Sequence, residues 1–175
     1  MNIKALVFCL CAAMIMAAAG CAPPPAEVTE LRHYPVDSME GVITQSGVEF
    51  DEEISFDSNG SLRITATEPT TVRLFETGDL DVENASLTYV ARIRTEDVEG
   101  KVYLEMWCSF PGEGEFFSRG LETPLTGTNN WTSEQILFFL KKGENPDNVK
   151  LNLVIDGTGT VWIDTIRLFK KGPLE

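Results

Sequence analysis

KVYLEMWCSF, residues 101–110, alternates apolar and polar side chains without a break. Successive side chains of a β-strand point to opposite faces, so this spacing predicts a strand with one face in a core. The apolar positions, which we expect to face the core, are Val102, Leu104, Met106, Cys108 and Phe110. The opposite face carries Tyr103, Glu105, Trp107 and Ser109.

The same period-two pattern recurs along most of the chain, with little sign of an amphipathic helix. Further strands are predicted at residues 61–67, 70–76, 87–95, 131–140, 149–156 and 160–169. Turn-forming residues such as Asn59-Gly60 and Gly157-Thr158-Gly159 separate them. Short, regularly spaced strands of this kind are typical of a β-sandwich or jelly roll. The sequence therefore predicts one all-β domain over residues 30–171, followed by a tail at 172–175.

Alternation also predicts which polar residues share an outer face. If the strands at 87–95, 101–110 and 149–156 share one sheet, its outer face joins six side chains: Arg92, Arg94, Tyr103, Glu105, Trp107 and Asn152. Aromatic rings stack on the apolar faces of sugars, and nearby polar groups bind sugar hydroxyls. This set is our candidate ligand site. A structural role stays open, in which residues 112–120 cover Trp107 and Arg92 pairs with Glu105.

Four other aromatic residues have competing interpretations. Phe116 and Phe117 form either an exposed recognition loop or part of a strand with one ring facing inward. Trp131 and Trp162 lie within the predicted strands at 131–140 and 160–169, and core or edge packing is the expected role for both, with ligand contact as the alternative.

The N-terminus carries the parts of an export signal. Lys4 precedes fifteen uncharged, mostly apolar residues at 5–19, too few for the roughly 20 that span a bilayer. The run ends in Ala18-Ala19-Gly20-Cys21, which resembles the lipobox of bacterial lipoproteins. That resemblance implies a signal peptide at 1–20 and a lipid-carrying Cys21, joined to the domain by a proline-rich tether at 21–29. Ala22 lies where inner-membrane retention signals have Asp, so we expect an outer-membrane location in the cell envelope.

Composition narrows the classes of partner. The chain has a formal net charge of −13, and removal of Lys4 with the signal leaves 13 basic and 27 acidic side chains, a net charge of −14. Such a surface repels phosphate backbones, so we expect no nucleic-acid partner. It also repels anionic lipid headgroups, which leaves the acyl chains on Cys21 to hold the protein at the membrane.

No residue pattern indicates catalysis. Cys9 and Cys11 leave with the signal, and Cys108 lies on the predicted core face, so we expect neither an intramolecular disulfide nor a reactive thiol. His33 is the only histidine, which excludes a histidine-based metal site. A pair of carboxylates could in principle serve a glycosidase, but nothing in the sequence identifies one. We expect a protein that is not an enzyme.

The C-terminal part of the chain resembles the galactose-binding-like jelly rolls, the fold of many carbohydrate-binding modules. The resemblance rests on the last strand, TVWIDTIRLF at 160–169, the preceding strand LNLVIDG at 151–157, and the lead-in PLTGTNNWT at 124–132. It covers residues 87–169 and implies a galactose-binding-like jelly-roll β-sandwich. It indicates the fold more strongly than the ligand.

The resemblance also implies a structural calcium ion, because many members hold one between an N-terminal loop and the last strand. The matching residue is Asp164, with Asp37 and Glu40 as N-terminal candidates. Calcium prefers six to eight oxygen ligands, which carboxylates and loop carbonyls supply. Relatives often have a second Asp at the position of Thr165, so this chain offers one carboxylate fewer.

These observations lead to an expected function and two alternatives. We expect a non-catalytic lipoprotein, anchored in the membrane through Cys21, that binds a carbohydrate on the outer face of the sandwich. The first alternative is an envelope protein that binds or scaffolds another protein. The more remote alternative is a glycoside-active enzyme.

Overall fold

The computed structural model describes residues 27–173, which fold into eight antiparallel β-strands. They are β1 (Glu27–Tyr34), β2 (Val48–Asp51), β3 (Ser61–Ala66), β4 (Thr70–Gly78), β5 (Ala85–Phe110), β6 (Gly114–Arg119), β7 (Leu125–Leu140) and β8 (Asn148–Gly172). Within this range no helix has the length and apolarity needed to cross a bilayer. The predicted signal peptide and Cys21 lie outside the described residues. β1 begins at Glu27, so it includes the last three residues of the predicted tether.

The two longest strands, β5 and β8, form a continuous antiparallel ribbon. Their pairing runs from Ser86 opposite Lys171 to Ser109 opposite Asn148. Each strand therefore contains two of the segments predicted separately from the sequence. The register shifts between Glu96 and Glu99, and there the buried positions change from odd to even residue numbers. The ribbon folds over at this shift.

Two glycines make the fold of the ribbon sterically feasible. Gly100 and Gly157 are paired partners with φ angles of 120° and 152°, in a region that side-chain-bearing residues rarely adopt. A Cβ atom on Gly157 would lie 1.9 Å from the carbonyl oxygen of Glu99, and one on Gly100 would lie 2.1 Å from that of Asp156. The backbones approach so closely that neither position has room for a side chain.

The folded ribbon divides the strands into two layers. Layer 1 contains β1, β2, β3, β7 and the ribbon residues 85–96 and 158–172. Layer 2 contains β4, β6 and the ribbon residues 99–110 and 148–157. The inner faces of both layers contribute to a single hydrophobic core. The chain is an all-β jelly-roll sandwich, and the predicted fold class is confirmed.

The core contains the apolar positions that the alternation identified. Val102, Leu104, Met106 and Cys108 of β5 are at most 1% exposed, and the opposing layer supplies Leu87, Tyr89, Ala91 and Ile93, which are fully buried. Each large aliphatic side chain removed from water stabilises the fold by about 1.5–3 kcal/mol. The outer residues of the same strands are thereby held in fixed positions on the two surfaces of the sandwich.

Candidate functional site

The outer side of layer 2 presents an aromatic and polar surface, which we call the Trp107 face. Six side chains on its three adjacent strands define it: Tyr103, Glu105, Trp107, Phe117, Arg119 and Asn152. The strand register places Glu105 between Asn152 on β8 and Arg119 on β6. In the next row Trp107 lies opposite Phe117. Four of the six residues proposed from the sequence are thus brought together here.

Glu105 is the centre of the polar part of the face. Its side chain is 5% exposed, and its oxygens accept hydrogen bonds from Arg119 Nε at 2.5 Å and Asn152 Nδ2 at 3.0 Å. Burial raises the pKa of the Glu105 carboxyl, but hydrogen bonds from Asn152, Trp107 and Arg119 outweigh that effect and hold the pKa below its usual range. The carboxylate is therefore charged and fixed in place at neutral pH.

The aromatic part of the face is a stack of three side chains. The ring centroids of Trp107 and Phe117 lie 4.9 Å apart at an interplanar angle of 46°, and the Arg119 guanidinium lies 4.4 Å from the Phe117 ring centroid. Phe117 is 52% exposed and Trp107 is half-buried, so Phe117 is the more accessible ring of the pair. Aromatic contacts of this kind orient the rings as well as burying area. β6 lies beside Trp107 as a paired strand, not over it as a covering loop.

The charged residues at the border of the face are also paired. Lys150 donates to Glu115, which also accepts from Ser109 Oγ at 2.7 Å. Arg73 pairs with Glu76 at the other side, on β4. Together with Arg119 and Glu105, these pairs leave the surface close to neutral, although the protein as a whole is strongly acidic.

One polar atom of the face has no partner among the described residues. Asn152 is 6% exposed, and while its Nδ2 binds Glu105, its Oδ1 is buried and receives no hydrogen bond. A buried acceptor without a donor costs about 1–3 kcal/mol, so this oxygen lowers the stability of the face.

Arg92 and Arg94 do not belong to the Trp107 face, and the predicted six-residue set is wrong in this respect. They lie on the outer side of layer 1, because the shift between Glu96 and Glu99 folds β5 into the other layer. Arg92 lies 4.4 Å from the Phe56 ring centroid, and Arg94 lies 5.6 Å from that of Trp162. The open alternative that Arg92 pairs with Glu105 is also wrong, since Arg119 takes that place.

The structure also places the other aromatic residues for which the sequence left a choice of roles. Trp162 is 3% exposed and donates from Nε1 to Asp51 Oδ2 at 2.9 Å, which is the structural role expected for it. Trp131 is half-buried and packs edge-on against Phe56 at 6.2 Å between centroids. Phe116 lies opposite the core-facing Cys108 and Phe117 opposite Trp107, so one ring of the pair is on the inner side as expected, but both remain about half exposed, at 49% and 52%. β6 is a short edge strand, so neither of its faces is fully covered.

The proposed metal ligands do not form a cluster. Among residues 27–173 no three His, Cys, Asp or Glu side chains come together as a metal would require, so Asp37 and Glu40 do not join Asp164 as a ligand set. Asp164 is fully buried, and its oxygens accept from the Phe56 amide at 2.7 Å and from Thr165 Oγ1 at 3.1 Å. Burial and the nearby Asp57 raise the pKa of the Asp164 carboxyl despite these bonds. The contacts of Asp164 fit a carboxylate that fixes a loop by hydrogen bonding better than they fit a calcium ligand. Calcium binding stays a prediction.

Phe117 and Arg119 are the members of the Trp107 face that sequence reasoning did not place there. β6 reads GEFFSR, with two adjacent aromatic residues in place of alternation. Its pairing with β5 could have been anticipated only from the Pro111-Gly112 turn that joins two segments of matching length.

Solved structures similar to this chain include carbohydrate-binding modules. A family 16 carbohydrate-binding module covers 74% of this chain and 91% of its own, with a TM-score of 0.55 at 13% identity. The CBM22-1 xylan-binding domain of Xyn10C from Paenibacillus barcinonensis covers 85% and 97%, with a TM-score of 0.60 at 13% identity. A family 22 module of Xyn10B from Clostridium thermocellum covers 83% and 97%, with a TM-score of 0.53 at 12% identity.

These similarities define the class of fold: a β-sandwich of the kind found in carbohydrate-binding modules. At such low sequence identity the likeness shows the fold alone. No protein-family model and no curated protein matches the sequence.

Proposed function

We propose that this chain is a non-catalytic lipoprotein that binds carbohydrate on the Trp107 face. The observation that carries the proposal is the contact between the half-buried Trp107 and the exposed Phe117 beside the fixed Glu105–Asn152–Arg119 group. Sugar rings stack on aromatic side chains, while their hydroxyls both donate and accept hydrogen bonds. The fold adds support, because structures that share it include modules described as xylan-binding.

The charge pattern favours a neutral glycan over an acidic one. Three cations on or beside the face, Arg73, Arg119 and Lys150, have a carboxylate partner, and the exposed Lys101 lies opposite Asp156 at the end of the same row. An acidic sugar would need an unpaired cation to offset the loss of its hydration. Neutral hydroxyls need only acceptors and donors, which Glu105, Asn152 and Arg119 supply.

The anchor forms the second part of the proposal. Ala18-Ala19-Gly20-Cys21 supports lipidation at Cys21, and two or more acyl chains give stable residence in a membrane. The binding domain would then be displayed in the cell envelope, with the outer membrane favoured by Ala22. Intact-mass measurement of the chain from a bacterial host tests this part, because acylation adds a mass that Cys21→Ser abolishes.

The binding part is tested by affinity electrophoresis and array screening of the processed chain on neutral polysaccharides, beginning with xylan. We expect retention by at least one neutral glycan, and loss of that retention in Trp107→Ala. Trp131→Ala is the matched control, because Trp131 is equally half-buried but lies on layer 1. Binding by neither the parent chain nor the control, or equal loss in both variants, would contradict the proposal.

A further inference from the structure

Exposed apolar side chains concentrate at one end of the sandwich. Val28 and Phe139 are 61% and 64% exposed and lie in one row across layer 1, which runs from Val28 through Lys171 and Ser86 to Phe139. Leu137, 40% exposed, lies on the same side of β7, two residues from Phe139. Surface apolar residues are usually scattered, and their grouping marks a contact surface.

An aromatic cavity continues this surface toward layer 2. Phe110, Phe116, Phe138 and Phe139 line an open cavity of about 210 Å³. The Phe110 ring lies 5.8 Å from that of Phe116 and 6.3 Å from that of Phe138, between centroids. Phe116 is 49% exposed at the rim. We call Val28, Phe116, Leu137 and Phe139, with this cavity, the aromatic end.

The chain enters the domain at this end. Glu27 lies opposite Gly172, in the terminal row of layer 1. Val28 and Phe139 are three strand spacings apart, about 14 Å. Cys21 precedes Glu27 by six residues, which span at most about 20 Å even when fully extended. A lipid on Cys21 therefore keeps the aromatic end within a short distance of the bilayer surface.

Charge at the aromatic end is mixed. Lys141, Glu113 and Glu144 line the cavity, and Lys171 lies in the row between Val28 and Phe139. Neither sign dominates, so the end is suited to zwitterionic headgroups and lacks the cationic cluster that anionic lipids attract.

We propose that the aromatic end rests in the interfacial region of the bilayer beside Cys21, with Phe139 and Phe116 in contact with lipid. The inference rests on the proposed lipid anchor. Aromatic and aliphatic side chains on one face of a polar domain bind at the boundary between headgroups and acyl chains. The anchor brings this surface to the membrane, and the aromatic end fixes the orientation of the domain on it.

Fluorescence quenching tests the contact. The acylated full chain, its intact mass verified, is reconstituted in phosphatidylcholine vesicles with plain or brominated acyl chains. Phe139→Trp places a reporter at the aromatic end. Phe56→Trp is the matched control, because Phe56 is also exposed, at 43%, but packs on Arg92, about 20 Å along β5 from Ser86.

We expect brominated lipid to reduce the emission added by Phe139→Trp and to leave that added by Phe56→Trp unchanged. Equal emission from Phe139→Trp in both lipids, in a chain shown to be acylated, overturns the inference while the anchor stands. The same result with a concentration-dependent dimer assigns the aromatic end to a second copy and also overturns it. A mass without acyl chains overturns the anchor and, with it, this inference.

Discussion

Glu105 and Asn152 lie opposite each other on β5 and β8, and Asn152 Nδ2 donates to Glu105 Oε1 over 3.0 Å. Arg119 holds the second carboxylate oxygen from the other side. The carboxylate thus enters any binding event already oriented. Side chains fixed in advance lose little conformational freedom on binding, which suits them to the hydroxyls of an otherwise weakly bound sugar.

The contact between Trp107 and Phe117 predicts that the Phe117 ring contributes to glycan affinity. Phe117→Ala removes one exposed ring of the pair and frees Arg119 from the ring it covers. We expect the affinity for the glycan to fall at least about tenfold, equal to about 1.4 kcal/mol. Phe116→Ala, one residue away and similarly exposed at the cavity rim, should leave it unchanged. Calorimetric titration measures both.

Glu105 predicts a pH dependence of stability. Its pKa is lower in the folded protein than its unfolded value of about 4.3, so its contribution is present above pH 4.3 and is lost as the pH falls through the folded pKa. Glu105→Gln should cost about 1–2 kcal/mol at pH 7, a moderate figure because Arg119 is 36% exposed. The variant should also lose stability less steeply in acid. Urea denaturation from pH 3 to 7 measures both effects.

The control for this prediction is Glu115→Gln, which removes an exposed carboxylate from the border of the same face. The pH dependence of the stability of Glu115→Gln should stay closer to that of the parent chain than the pH dependence of Glu105→Gln does. Identical pH profiles for the parent and Glu105→Gln would show that the buried carboxylate has no coupling to folding.

Because the two strands approach so closely where the ribbon folds over, we expect one added methyl group there to destabilise the domain strongly. Gly157→Ala places a Cβ against the Glu99 carbonyl and should destabilise the domain by about 2–4 kcal/mol. Gly112 also has a positive φ, 75°, but in the left-handed region that other residues adopt at modest cost, and nothing lies within 4 Å of the added atom, so Gly112→Ala should cost only about 1 kcal/mol. Thermal unfolding of the two variants compares them; equal losses would contradict the close approach.

Cys108 predicts a protected thiol. It is fully buried, and burial raises the pKa of its thiol to about 12, so almost no thiolate exists at pH 8. Thiol reagents should leave Cys108 unmodified in the folded protein and modify it fully in denaturant, as read by peptide mass mapping. Rapid native-state labelling would place Cys108 outside the core.

Local alternation was sufficient to predict the core and four of the six residues of the Trp107 face. In residues 101–110 each side chain's face follows from its neighbours, so Trp107, Glu105 and Tyr103 were placed correctly relative to the core. Asn152 followed in the same way on β8. These are properties of single strands, and they hold whichever layer a strand joins.

The sequence alone could not predict which layer each strand joins. Arg92 and Arg94 have the right alternation but lie in the other layer, because β5 continues through residues 97–100 while its faces exchange. Asp97, with φ 52°, contributes to that exchange, and nothing in its identity distinguishes it from an ordinary turn residue. β6 was missed for a related reason: adjacent aromatics in an edge strand break the pattern from which strands are recognised.

The most direct test of the central claim is nuclear magnetic resonance of the three tryptophan indole N–H groups during titration with the neutral glycan that the screen identifies. Single-tryptophan substitutions assign the signals. If the glycan binds on the Trp107 face, the Trp107 signal shifts with saturating dependence on glycan, while Trp131 and Trp162, on layer 1, do not. Shifts at Trp131 or Trp162 with Trp107 unchanged would move the binding surface to the other layer and contradict the account.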